Sequence, residues 1–222
     1  MTIAYPKTGL FCELEEDKVL NLIIENQYIF SSVISDIHYQ LNGENGDLVL
    51  AENFHPLDMR KNAELITQII PFEINQRELI NKLYTELKNV SVNENNYQFT
   101  QQLMTNVSAY IYTLSDEIDN ELTIETPQDI SGILKAFGVS FTENDLKLHE
   151  RIIEYMTAVN KFKGERVFFF VNLRSYLTDE QTQLLYQNIL LKKMTAVCIE
   201  NVEHTHLKTS KTIIIDKDMC VI

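Results

Sequence analysis

Five carboxylates fall within the segment Ser115-Asp116-Glu117-Ile118-Asp119-Asn120-Glu121-Leu122-Thr123-Ile124-Glu125, and no Lys or Arg interrupts them. Wound as a helix, the segment sets Asp116 beside Asp119 and Glu117 beside Glu121, because residues three and four apart share a face. Like charges so placed repel by roughly 0.2–0.5 kcal/mol per pair. A hard divalent cation with oxygen ligands relieves that repulsion, and a solvated acidic face explains the same residues without a metal. No glycine turn of the usual calcium loop is present, so any cation site has to be assembled from helix ends and loops.

The opposite charge is sparser. Candidates for phosphate contact are Arg60-Lys61, Lys161-Lys163-Arg166, Arg174 and Lys192-Lys193, each an ordinary surface group when taken singly. The formal net charge is −13, which in a monomer opposes nonspecific attraction to nucleic acid. Its distribution is uneven: residues 1–54 carry 2 bases and 9 acids, whereas residues 166–222 carry 7 bases and 6 acids. Several subunits could gather such bases around duplex phosphates. Trp is absent and Phe168 to Phe170 sit in a core-like run, which disfavours a stacking platform for single strands.

Other chemistry is missing from the sequence. After the apolar run Val19 to Ile24 comes Glu25-Asn26-Gln27-Tyr28 where a nucleotide-binding fold needs a glycine loop and a phosphate lysine. After Val167 to Val171 the chain has Asn172 in place of a metal-handling Asp. No GxSxG, HExxH or DxDxDG pattern occurs, so no catalytic residue and no bound nucleotide are expected. Cys12, Cys198 and Cys220 are too far apart for a zinc pattern and read as reduced thiols, while His204 and His206 read as solvated loop side chains. No apolar run spans a membrane and the first residues lack signal-peptide order, so a cytoplasmic location is expected.

The elements that must position these groups follow from periodicity. Val19 to Ile24 reads as a strand entering a helix with Ile29, Val33, Ile37 and Leu41 on one face. Leu48 to Leu50 reads as a strand. A helix through Ile152, Met156 and Val159 precedes the buried strand Val167–Val171, and Thr178 with Gln181 forms a capping-box pattern ahead of the next helix. Thr195 to Ile199, Thr212 to Ile215 and Met219 to Ile222 read as further strands, giving parallel strand-helix-strand units. Between the two halves, Ala63 to Ile70, Gln76 to Leu87, Gln98 to Leu114 and Gln128 to Phe137 read as helices. The expectation is an α/β head, residues 1–60 plus 146–222, with an inserted α-helical leg, residues 61–145.

Three segments together resemble one family: Val19 to Asn26 leading into its helix, Ile133-Leu134-Lys135-Ala136-Phe137-Gly138-Val139, and Val167 to Asn172 followed by Leu177-Thr178. They look like the accessory protein of type II-A CRISPR adaptation, and the likeness runs over nearly the whole chain. The resemblance implies an α/β head of degenerate P-loop-NTPase-like fold, a helical leg, and a homotetrameric ring that binds ends of double-stranded DNA in spacer acquisition. Implied partners are the integrase and the effector nuclease of the same locus. It also implies bound calcium, with Asp116, Glu117, Asp119, Glu121 and Glu125 as ligands, and Arg60, Lys61, Arg174, Lys192 and Lys193 lining the hole. A metal-dependent nuclease built on the acidic cluster, and a scaffold that meets only proteins, are the competing readings.

Overall fold

The computed structural model describes residues 1–125, 127–143 and 145–222. It divides into two compact units, residues 1–74 with 143–222 and residues 75–142. In the first, the hairpin β1 (Thr2–Tyr5) and β2 (Leu10–Glu13) leads to β3 (Val19–Ile24), helix α1 (Gln27–Leu41), β4 (Val49–Glu52), the short β5 (His55–Pro56), one helical turn α2 (Met59–Asn62) and β6 (Ala63–Ile66). The second unit holds α3 (Arg77–Ser91), α4 (Tyr97–Ser115) and α5 (Ser131–Ala136). The chain then returns with α6 (Leu148–Lys163), β7 (Val167–Val171), a 3-10 turn (Leu173–Ser175), α7 (Asp179–Leu191), β8 (Thr195–Glu200) and β9 (Ser210–Ile215).

The first unit contains two sheets. An antiparallel one runs β2-β1-β4-β5, and a wholly parallel one runs β6-β7-β8-β3-β9. The chain therefore has the α/β class expected. One face of the parallel sheet, through Leu20, Leu22, Ile24, Phe169 and Ile199, packs with Ile29, Val33 and Ile37 of α1 and with Ile3, Tyr5 and Leu50 of the antiparallel sheet. Side chains alternate across a strand, so Phe168 and Phe170 face the other way. On that side α7 buries Leu185, Tyr186 and Ile189, and the Tyr186 hydroxyl donates to Asn21 Oδ1 at 2.6 Å. Cover on both faces is why Val167–Val171 shows no polar alternation.

Two sequence expectations change, and one element had not been read. Ala63 to Ile70 is not a helix: Ala63–Ile66 is an edge strand, registered from Ala63 opposite Val167 to Ile66 opposite Phe170. The apolar spacing at 63, 66 and 69 suits either state, and the parallel neighbour decides it, with Glu64 taking Lys163 Nζ at 2.9 Å and Arg166 Nη1 at 3.4 Å. Met219 to Ile222 contributes one bridge, Ile215 to Val221, rather than a strand. The opening hairpin was unread because its period-two pattern, buried Leu10 and Cys12 against exposed Phe11 and Glu13, lasts only four residues.

In the second unit α3 and α4 are tied by the Thr100 hydroxyl, which donates to the Ser91 carbonyl at 2.8 Å, and Lys88 pairs with Asp129 at 2.7 Å. Asn75 and Phe141 exchange hydrogen bonds of 2.8 and 3.0 Å where the chain enters and leaves. Helix α4 contains no Asp, Glu, Lys or Arg in its 19 residues, and only Thr100 of it is buried. No helix is long and apolar enough to cross a membrane among the described residues.

Phe169, fully enclosed between the sheet and α1, sets the expected scale of the core. Phe169→Ala should cost about 3–5 kcal/mol in urea unfolding. A loss below about 1 kcal/mol would contradict this packing.

Candidate nucleic-acid interface

Parallel strands all enter their sheet from one rim and leave by the other. Between four residues ahead of each parallel strand and that strand's second residue, there are nine bases and five acids. At the exit rim, from the last residue of each strand to four beyond, there are two bases and five acids. Part of this sorting follows from α6 and α7, whose C-terminal ends arrive at the entry rim, where a partial negative charge favours cations. The entry rim is therefore cationic in a chain that is acidic as a whole.

Not every base there is available. Glu64 holds Lys163 and Arg166, and Arg166 also donates to the carbonyls of Arg60 and Ala63 at 2.9 and 3.0 Å. Glu15 takes Lys211 at 2.6 Å. Arg60 is exposed but grips Asp58 through Nε and Nη2, at 3.0 and 2.8 Å, which lowers the Asp58 pKa. Lys61, Lys192 and Lys193 are exposed and form no ion pair among the described residues. Arg60-Lys61 precede β6 and Lys192-Lys193 precede β8, two strands away, which is about 10 Å across the sheet. The structure thus brings four of the five expected DNA contacts to one rim. Lys18 and Lys208, ahead of β3 and β9, join that rim and were missed in the sequence, where the signal was a single base before each strand.

Arg174 does not join them. It lies beyond β7 at the exit rim with its side chain only 3% exposed, and its guanidinium meets Asp179 Oδ1 at 3.0 Å. The expectation that it faces DNA is corrected: the residue is structural. Its backbone N–H donates to Glu200 Oε1 at 3.0 Å, fastening the 3-10 turn to the end of β8. Glu200 is fully buried, and Oε2 lies 3.4 Å from His204 Nε2 without a hydrogen bond. Burial raises the Glu200 carboxyl to about 7 despite the opposing backbone N–H and positive charge of Arg174. Burial, helped by the charge of Arg174, lowers the His204 pKa.

The exit rim is where a P-loop fold would cradle phosphate. Here the Asn26 side chain caps α1, its Oδ1 accepting from the N–H groups of Tyr28 and Ile29, each at 3.1 Å. The helix donors that would meet an anion are thus taken by the chain itself. Asn172, in left-handed conformation with φ of 51°, receives the Asn201 N–H on Oδ1 at 3.2 Å.

The acidic cluster lies beyond the end of a helix, so the pairing of Asp116 with Asp119 and of Glu117 with Glu121 that a helix would give is not formed. Helix α4 ends at Ser115 with Asp116 as its cap, and Glu117, Asp119, Glu121 and Glu125 follow in turns, bends and irregular chain, all exposed. Carboxylates oppose the negative end of a helix, and Asp and Asn compete for its backbone groups, so the helix stops where they begin. Among the described residues no three His, Cys, Asp or Glu side chains converge as a metal would require. Calcium asks for six to eight oxygens, so these residues do not fit a preformed site within this chain.

Glu200 generates a test of the exit-rim network. Its folded pKa, raised from 4.5 to about 7, makes folding take up a proton between those values, so its contribution falls as pH rises through that window. His204, with a lowered pKa, acts in the opposite sense below its usual 6.5. The difference between Glu200→Gln and wild type isolates the carboxyl. Measured by denaturant melts, it should be near zero at pH 4.5 and favour the variant by on the order of 3 kcal/mol at pH 8. A difference that does not change with pH would contradict the raised pKa.

With this geometry in place, the likenesses to known proteins become informative. A family model described as CRISPR-associated protein (Cas_Csn2) matches residues 38–219. The CRISPR-associated protein Csn2 of Streptococcus agalactiae is 22% identical over 219 residues, which cover 94% of each chain. The crystal structure of Stu0660 of Streptococcus thermophilus aligns over 97% of this chain and 75% of that one, with a TM-score of 0.56 and 7% identity, a likeness of fold. The family match extends over most of the sequence, and the chain belongs to the Cas_Csn2 family of CRISPR-associated proteins.

Proposed function

We propose that this chain binds the ends of double-stranded DNA, without cutting them and without reading sequence, as a homotetrameric ring serving CRISPR spacer acquisition in the cytoplasm. It would act beside the integrase and the effector nuclease of its locus. The observation that carries the reading is the cationic entry rim, where Lys61, Lys192 and Lys193 stand exposed and form no ion pair among the described residues, in a chain of net charge −13. Phosphate contacts of this kind bind without sequence preference. Several copies would multiply them on one surface. Helix α4, exposed and free of charge, supports self-association, since a second copy meets no like charge on it. A binding role without nucleotide chemistry is supported by the side chain of Asn26, which takes the helix donors a phosphate would need.

The rim is tested by Lys61→Glu with Lys192→Glu and Lys193→Glu. Affinity for a linear duplex should fall at least tenfold, with the salt slope reduced by about 0.9 for each lost phosphate contact, while molar mass and melting temperature stay unchanged. Unchanged affinity would remove the rim as the DNA face. Arg174→Ala should behave oppositely, lowering the melting temperature and leaving the salt slope intact. A closed circle should compete less well than the same DNA made linear, and equal competition would overturn end binding.

A further inference from the structure

The hairpin between β4 and β5 carries a residue that its backbone disfavours. Glu52 pairs with His55, so Asn53-Phe54 is a two-residue turn, and both residues have positive φ, 49° and 64°. Such turns need left-handed backbone at both positions and favour Asn followed by Gly. A side chain with a Cβ in that conformation crowds its own carbonyl. Phe54 gains no burial in exchange, being 92% exposed. Within the isolated chain a phenyl ring at this tip therefore costs conformational energy that no burial offsets.

Its place in the fold is informative. Ala51 pairs with Thr2, and Met1 lies in one small cleft with Asn62, Arg166 and Lys193, so β4 runs out toward the entry rim of the parallel sheet. From β5 the chain passes within a few residues to Arg60 and Lys61. The tip thus projects toward the rim that carries the exposed bases. Glu52, exposed one residue before the turn, disfavours phosphate at the tip itself but not the uncharged face of a base pair.

We propose that Phe54 is the platform on which the terminal base pair of a duplex stacks, while the neighbouring lysines hold the phosphates behind it. The proposal rests on the reading of the chain as a binder of duplex ends, and it adds a reason for preferring ends. A terminal pair offers an open π face, whereas insertion within a duplex first requires unstacking. Every base has such a face, so stacking tolerates any sequence.

The experiment compares a blunt linear duplex with the same duplex closed at both ends by hairpin loops, using the full chain. Phe54→Ala should weaken binding of the blunt duplex about tenfold, equivalent to about 1.4 kcal/mol. It should leave the closed duplex, the salt slope and the molar mass unchanged. Phe54→Gly should lose the same end affinity yet melt at a higher temperature, which separates loss of stacking from damage to the fold. The chain contains no Trp, so Phe54→Trp introduces a single reporter whose fluorescence should be quenched by blunt ends and not by closed ones. If wild type binds duplex and Phe54→Ala binds the blunt form equally well, the platform is overturned and the binder remains. A change in molar mass on Phe54→Ala would assign the ring to a second copy and overturn it as well. Absence of any duplex binding by wild type would overturn both readings.

Discussion

The parallel pairing of β6, β7, β8, β3 and β9 is the constraint on which the rest of this structure depends. Because all five strands run one way, every crossover returns to the same rim, and α6 and α7 both deliver their C-terminal ends there. The helix dipole makes cations favourable at that rim and acids favourable at the other, where Asp179 and Glu180 open α7. Charge separation follows from topology before any ligand is considered. What exceeds that background is Lys61, Lys192 and Lys193, exposed and without an ion pair among the described residues.

The exit rim shows the contrasting arrangement. Open parallel sheets usually bind ligands beyond the carboxyl ends of their strands, but here the chain satisfies those positions with its own groups. Asn26 caps α1, Asn172 takes the Asn201 N–H, and Glu200 pins the turn that carries Arg174. The buried carboxyl does so at an electrostatic cost, which its raised pKa records. Polar side chains of the chain itself therefore occupy the positions a phosphate would need, while the exposed Lys61, Lys192 and Lys193 lie on the opposite side.

The elements legible in the sequence were those whose pattern is sustained: the uninterrupted Val167–Val171, the capping box at Thr178 and the apolar face of α1. Periodicity failed at Ala63 to Ile66, where four residues cannot distinguish helix from strand and β7 supplies the decision. It succeeded at the end of α4, read at Leu114 and found at Ser115, because the carboxylates that follow interrupt the apolar pattern and themselves end the helix. Arg174 looked like Lys192 in sequence, since a single base after a strand and one after a helix are indistinguishable until burial is known. Phe54 escaped for a different reason: aromatic runs draw notice, and one ring following an Asn between short strands does not, although Asn-Phe where Asn-Gly is favoured was a readable irregularity.

Net charge was the least useful quantity in the sequence, and the geometry explains why. A strand such as β3, of 6 residues, separates the two rims by about 20 Å. At physiological ionic strength the screening length is about 8 Å, so acids at one rim scarcely reduce the attraction felt at the other. A phosphate approaching the entry rim responds to Lys61, Lys192 and Lys193 and to the acids of that rim, among them Glu16, Asp17 and Glu165, more than to the carboxylates at the far side of the sheet. An overall acidic chain can thus bind a polyanion on one face while its remaining surface repels it, and that repulsion restricts how the polyanion is presented. Acidity would be compatible with the proposed nucleic-acid binding because the sheet keeps the carboxylates of the exit rim farther from the entry rim than solvent lets charges interact.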